Sequence, residues 1–273
     1  KNMTDPQLYQ LPYLVIRGMT VAIIIAFYLF FNEGLIFVKK LFQIDAITII
    51  GGMSLTTAFL GFIYSISYTT AAVTLFMLAL MPFLASVIAF IFLKEKISKQ
   101  NFVSMVVAFL GTLVMIYAST FSGSFFGLIM GFVSSLGFAA FSVALRSKSN
   151  FKKFYILIYG GILCALFSTF LMIINNQDFY IPIKNVYLSM THGTLVASGL
   201  ILFSIGSKQL LSGELTMLSL LEVVGGIFWA WLPILGINEV PSINTIIGGA
   251  IICVAIAMNS YRFDKKRLQN LTR

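Results

Sequence analysis

The sequence predicts an all-α polytopic membrane protein, because it is strongly apolar, has few charges and carries those charges in short clusters. Of its 273 residues, 59% are hydrophobic and 10% are charged, whereas a soluble domain has about 25% charged residues. The mean hydropathy is +0.97. Since lipid-facing backbone must satisfy its own hydrogen bonds, we expect the apolar segments to be helices. The composition therefore excludes a water-soluble globular protein.

Nine apolar segments, each close to the length that crosses a bilayer, follow one another along the chain. A span needs about 20 apolar residues, and the sequence shows none of the alternating segments of a transmembrane barrel. We therefore predict nine transmembrane helices. Windows of about 19 residues place them at 11–31, 44–64, 71–93, 101–117, 125–144, 154–174, 186–206, 215–237 and 244–261.

The positive charges predict the orientation of these helices. One set of alternate connections holds fifteen Lys and Arg residues, whereas the opposite set holds two, Lys1 and Lys184. Cytoplasmic connections carry the excess of positive charge, so we expect a multi-pass protein of the inner (plasma) membrane with a cytoplasmic C-terminus. This clustering also accounts for the net charge of +9, so we expect no nucleic-acid partner. The fifteen residues lie in the connections 32–43, 94–100, 145–153, 207–214 and 262–273.

Histidine and cysteine offer no metal-binding pattern. His192 is the single histidine, and Cys164 and Cys253 both fall within apolar segments. Neither a zinc site nor a disulfide framework has this spacing. We expect no metal and no cofactor.

A weak internal repeat links the two halves of the chain. The stretch 71–78 is similar to 213–220, and Glu95–Tyr117 is similar to Glu239–Tyr261, at an offset of roughly 140 residues. This offset contains five spans, and an odd number of spans inverts the second copy in the membrane. Inverted repeats are typical of transporters. We predict a first repeat of four helices at 1–119 and a second, inverted repeat of five helices at 120–273.

Six short motifs resemble those of one transporter family. They are similar to the EamA-type transporters of the drug/metabolite transporter superfamily over essentially the whole chain. That family is built from two inverted halves of five helices. The resemblance therefore implies a ten-helix bundle, and we expect that its first helix is absent here. The motifs are Leu14–Gly18, Thr-Thr-Ala-Ala-Val at 69–73, Leu-Met-Pro at 80–82, Leu-Lys-Glu-Lys-Ile-Ser at 93–98, Leu-Leu-Glu-Val-Val at 220–224 and Asn-Glu-Val-Pro-Ser at 238–242.

Glu222 is the carboxylate that lies deepest within a predicted span. A carboxylate at the centre of a span costs about 2.5–3.5 kcal/mol, so we expect Glu222 to face a polar interior. It could bind an ammonium group of a substrate, carry a proton, or stabilise the helix bundle. Gly225, Gly226 and Trp229 follow it on the same helix face, which would suit an amphipathic or cationic ligand.

Arg17 and His192 are further candidates for substrate binding or coupling, each placed near the outer end of its span. The Arg17 side chain could extend to the membrane surface or provide a counter-charge for an anionic group. His192 could be a neutral, hydrogen-bonded residue or a proton relay.

Pro82 is expected to kink its helix and act as a hinge, because it removes a backbone hydrogen bond near the middle of the span. Thr74 and Met77 share one face beside this kink. We therefore include both among the candidates for the substrate site, although stripes of methionine and aromatic residues are more often core packing.

The function that these observations favour is secondary transport of a small organic metabolite, such as an amino acid, an amine or a drug-like solute, by alternating access. No Walker A sequence is present, so ATP is not expected to drive it. We do not expect an enzyme. A membrane-embedded enzyme and a channel-like facilitator are the alternatives, but the chain lacks paired catalytic motifs and a polar pore-lining helix. The expected partners are a small-molecule substrate and the lipid bilayer.

Overall fold

The computed structural model describes residues 3–117, 124–148, 152–231 and 242–271. Helices and short connections make up these residues, and none of them lies in a strand. The helices are α1 (Pro6–Glu33), α2 (Ile36–Leu41), α3 (Ala46–Tyr68), α4 (Ala71–Leu78), α5 (Met81–Leu93), α6 (Lys99–Ile116), α7 (Phe125–Ser147), α8 (Lys152–Ile174), α9 (Ile183–Gly206), α10 (Ser212–Leu218), α11 (Leu221–Trp231) and α12 (Ile243–Leu271).

Six helical segments in the described residues are long and apolar enough to cross a membrane. They are α1, α3, the α4–α5 pair from Val73, α7, α8 and α9. Shorter apolar stretches lie in α6 and α12. The α10–α11 pair occupies the first part of the predicted span 215–237, whose end lies outside the described residues. These helices confirm the prediction of an all-α polytopic membrane protein.

Polar side chains at the starts of the helices satisfy free backbone N–H groups. The carboxylate of Asp45 accepts hydrogen bonds from the Thr48 backbone N–H at 2.9 Å and from its hydroxyl at 2.7 Å. The hydroxyls of Ser98 and Ser124 each accept from a backbone N–H three residues later, at 3.1 Å. Such caps fix where α3, α6 and α7 begin.

Two of the spans are interrupted helices. The chain breaks between α4 and α5 at 79–80 and between α10 and α11 at 219–220. Both breaks contain the same tight turn, in which the N–H of Leu80 donates to Met77 and the N–H of Leu220 donates to Met217, each at 3.1 Å. Within the repeat seen in the sequence, the two breaks occupy similar positions.

Close backbone contacts hold the helices together. α1 packs against α8 and α9, α3 packs against α7 and α8, and α6 packs against α12. A Cβ atom added to Gly18 would lie 2.6 Å from the carbonyl oxygen of Gly161. Gly111 and Gly248 approach one another in the same way. Small residues permit this close helix approach in membranes.

Polar contacts join the connections that the charge pattern assigns to one side of the membrane. Arg146 forms an ion pair with Glu95 at 2.9 Å and donates to the carbonyl of Ser207 at 3.0 Å. At the opposite end, the Thr4 N–H donates to Asn185 at 3.0 Å. Connections predicted to share a side therefore contact one another.

Candidate functional site

A cavity of about 640 Å³ lies between helices of both predicted halves. Its wall includes residues of α1, α3, α4 and α5 from the first predicted half and of α7, α9, α10 and α11 from the second. Most of these residues are apolar, as is usual for small-molecule sites. The charged or titratable residues of the wall are Arg17, His192 and Glu222. The fold thus brings together three candidates that are far apart in the sequence.

Arg17 is buried within the bundle and does not extend to the membrane surface. It is 3% exposed, and its guanidinium carbon lies 4.2 Å from the centre of the Phe59 ring. This cation–π contact stabilises the charge in place. In the part of the chain that the structure describes, Nε and Nη1 of Arg17 have no hydrogen-bond partner. These N–H groups could donate hydrogen bonds to an anionic group in the cavity.

His192 belongs to a hydrogen-bonded pair between α9 and α1. The Tyr13 hydroxyl lies 2.8 Å from Nδ1 of His192, and Tyr13 is one helical turn before Arg17 on α1. This bond fixes the orientation of the imidazole at the cavity wall.

Glu222 lies in the first turn of α11, directly after the interruption of the span. Its backbone N–H donates to the Ser219 carbonyl at 2.9 Å, and its side chain is exposed at the cavity wall. The sequence places Glu222 about two turns into a continuous helix, but the break at 219–220 makes it a helix-start residue. The positive end of the α11 dipole favours a carboxylate at this position. No residue described in the structure forms an ion pair with it.

Thr74 and Met77 lie outside the wall of the cavity. Thr74 is fully buried, and its hydroxyl lies 2.9 Å from that of Ser65. Met77 packs on Gly131 of α7. The neighbouring Met81, at the start of α5, lines the cavity instead. The break between α4 and α5 turns the two predicted residues toward α3 and α7.

Pro82 lies in the first turn of α5, three residues after the break begins. A proline at this position removes no helical hydrogen bond, because the first N–H groups of a helix have no partner within it. The span is therefore divided into two helices rather than kinked at its middle. Pro82 adjoins Met81 of the cavity wall.

The face of α11 beyond Glu222 has few close contacts among the described residues. A Cβ atom added to Gly225 or Gly226 would meet no atom of the described chain within 4 Å, so no described helix packs closely against these glycines. The side chain of Trp229 lies outside the described residues. Its place on this face stays a prediction.

Phe59 and Tyr13 are site residues that the sequence analysis did not select. Tyr13 could have been found, because it lies four residues before Arg17 in an otherwise apolar helix and therefore on the same face. Phe59 offers no such pattern, since it is one of 27 phenylalanines. Its role depends on the packing of α3 beside α1.

Comparison with known proteins gives a family for the first part of the chain. Residues 7–117, which run from α1 to α6, match the model of the EamA-like transporter family. The chain is EamA-like over these residues. This match confirms the resemblance for the motifs that lie within residues 7–117, and it indicates a membrane transporter of the drug/metabolite transporter superfamily.

The fold of the chain also occurs in solved structures. A crystal structure of another protein aligns with a TM-score of 0.73 at 15% sequence identity, over 93% of this chain and 88% of that chain. At this identity the likeness shows the fold alone. The search of curated proteins gave no match to this sequence.

Proposed function

We propose that this protein is a secondary transporter that moves a small organic metabolite across the membrane by alternating access. The observation that carries the proposal is the cavity, whose wall combines both predicted halves with Arg17, His192 and Glu222. Interrupted helices at similar positions of two halves are typical of substrate sites in transporters. The match to a transporter family supports transport rather than catalysis.

The chemistry of the wall favours an apolar solute with at least one charged group. Arg17 provides donors for a carboxylate or another anionic group. Glu222 provides a partner for an ammonium group or carries a proton that drives transport. Amino acids, amines and drug-like solutes all fit part of this description. No catalytic step is assigned to any of these residues.

The halves of the proposed carrier are 1–119 and 120–273, with opposite orientations in the membrane. The packing of α1 on α8 and of α6 on α12 supports this division, because each pair joins helices at similar positions of the two halves. We place the chain in the inner (plasma) membrane with its C-terminus in the cytoplasm. The excess of Lys and Arg in one set of connections supports that orientation.

The proposal is tested by transport into proteoliposomes that contain the purified chain. A panel of labelled amino acids, amines and drug-like solutes is offered with and without a pH gradient. We expect saturable uptake of at least one solute that bears a charged group. Uptake that rises linearly with concentration for every solute would contradict a carrier.

Glu222→Gln is the variant that tests coupling, because the amide keeps the shape of the side chain and cannot release a proton. We expect it to abolish accumulation driven by the pH gradient while exchange of preloaded solute persists. Asp178→Asn, in the exposed connection before α9, is the matched control and is expected to transport like the wild type. Unchanged accumulation and affinity in Glu222→Gln would remove Glu222 from the site.

A further inference from the structure

A second cavity, of about 420 Å³, lies at the end of the bundle opposite to Asn185 and Thr4. It is bounded by the end of α1, the short helix α2, the start of α3, Lys148 directly after α7 and the first turns of α8. These are ends of membrane-spanning segments. The cavity therefore lies at the level where lipid headgroups meet the protein.

The wall of this second cavity has more positive than negative charges. Glu33 pairs with Lys40 at 3.0 Å, and Asp45 pairs with Lys148. Lys152 also lines the cavity, and the described residues include no ion-pair partner for it. Burial, and then the neighbouring charge of Lys152, lowers the pKa of Lys148. A bound anion would relieve this repulsion between two lysines.

Two tyrosines of α8 extend the polar wall further from the helix start than Lys152. The Tyr155 hydroxyl donates to Glu33 at 2.7 Å, and the Tyr159 hydroxyl donates to the Leu41 carbonyl at 2.5 Å. Tyr159 follows Lys152 by seven residues, which is about 10 Å along a helix at 1.5 Å per residue. The cavity therefore reaches from the membrane surface toward the level of the acyl chains.

The helix beside the cavity has the composition of a helix that lies on the membrane surface. Leu35, Ile36 and Phe42 are 76%, 63% and 77% exposed, while Lys39 and Lys40 lie in the last turn of α2. Helices of this kind place apolar side chains among the acyl chains and lysines near anionic lipids. Ile50 of α3, 59% exposed, continues the apolar surface.

We propose that this second cavity binds the phosphodiester headgroup of an anionic phospholipid. Lys40, Lys148 and Lys152 hold the phosphate, and the acyl chains lie against the exposed apolar residues of α2 and α3. A soluble phosphate would leave that apolar surface uncovered, so the arrangement favours a lipid. This site is separate from the proposed substrate cavity and does not depend on what is transported.

Native mass spectrometry of the full chain with added phosphatidylglycerol or phosphatidylcholine tests the site. Gln43 lines the cavity and is exposed, so its substitution changes the local charge without disturbing the core. We expect Gln43→Glu to weaken phosphatidylglycerol binding by about tenfold and Gln43→Lys to strengthen it, because one unit charge acts at short range. Gln209→Glu, in an exposed connection on the same side, is the matched control and is expected to bind like the wild type.

Two further measurements distinguish the source of the phosphate and the role of Lys152. Glycerol 3-phosphate at the same concentration is expected to bind far more weakly than phosphatidylglycerol. Lys152→Gln is expected to bind phosphatidylglycerol with about tenfold lower affinity. Lys152→Arg is expected to retain the affinity of the wild type. Equal binding of the soluble phosphate, equal binding of phosphatidylcholine, or no response to the charge at Gln43 would each overturn the proposal.

Discussion

Arg17 carries the least compensated charge in the described part of the bundle. Burying a donor without a partner costs about 1–3 kcal/mol, and the contact with Phe59 returns only part of it, about 0.5–2 kcal/mol. An anionic group of a ligand would accept the hydrogen bonds that the Arg17 guanidinium does not make within the protein. The free energy that Arg17 costs the empty protein is then regained when an anionic group binds.

Arg17→Met is therefore expected to raise the melting temperature while it abolishes transport of solutes that bear a carboxylate. Methionine keeps much of the volume and removes the buried charge. Arg146→Met is the matched control, because Arg146 is paired with Glu95. Arg146→Met leaves Glu95, 13% exposed, without its ion-pair partner, so the melting temperature should fall. Thermal unfolding in detergent measures the melting temperatures of both variants. A fall for Arg17→Met as large as that for Arg146→Met would contradict the assignment.

Among the helices, the close approach of α1 and α8 can be tested by adding a single Cβ atom at Gly18. Gly18→Ala would place a Cβ atom 2.6 Å from the carbonyl oxygen of Gly161, so the helices must separate. We expect the free energy of unfolding to fall by about 1–3 kcal/mol, as in overpacked cores. The melting temperature would fall with it. Gly199→Ala on α9 is the control, because its Cβ would meet no described atom within 4 Å. Equal effects of the two substitutions would exclude tight packing at Gly18.

The helices also show which features a sequence reveals. Apolar length predicts the spans, and capping residues such as Ser98 and Ser124 mark two of their starts. Pro82 indicates an irregularity in the α4–α5 span, but 217–220 contains no proline or glycine. No local signal in the sequence marks that second break, so periodicity alone does not predict it. The position of Glu222 at a helix start could not be predicted for the same reason.

The candidate site was accessible to sequence reasoning only in part. Arg17, His192 and Glu222 stand out because each is a polar residue in an apolar segment, and that signal is local. Their meeting at one cavity depends on how α1, α9 and α11 pack. Thr74 and Met77 share a helix face beside Pro82 in the sequence, yet the α4–α5 break turns them away from the cavity.

On the scale of the whole chain, the charge pattern predicts which connections face the cytoplasm. Single cysteines at Ser147 and Asp178, both exposed, test it after Cys253→Ser removes the exposed native thiol. We expect an impermeant maleimide to label Asp178→Cys in intact cells and Ser147→Cys only after permeabilisation. Labelling of Ser147→Cys in intact cells would reverse the orientation.

Counterflow in proteoliposomes tests whether the cavity between the two predicted halves is the transport path. Gly199 lines the cavity, and a Cβ atom added there meets no described atom within 4 Å, so Gly199→Phe should narrow the cavity without breaking the fold. Ala250→Phe, at an exposed position of α12 outside the described wall, is the control. We predict that Gly199→Phe abolishes counterflow of a transported solute while Ala250→Phe and the wild type retain it. Undiminished counterflow in a folded Gly199→Phe protein would contradict the claim.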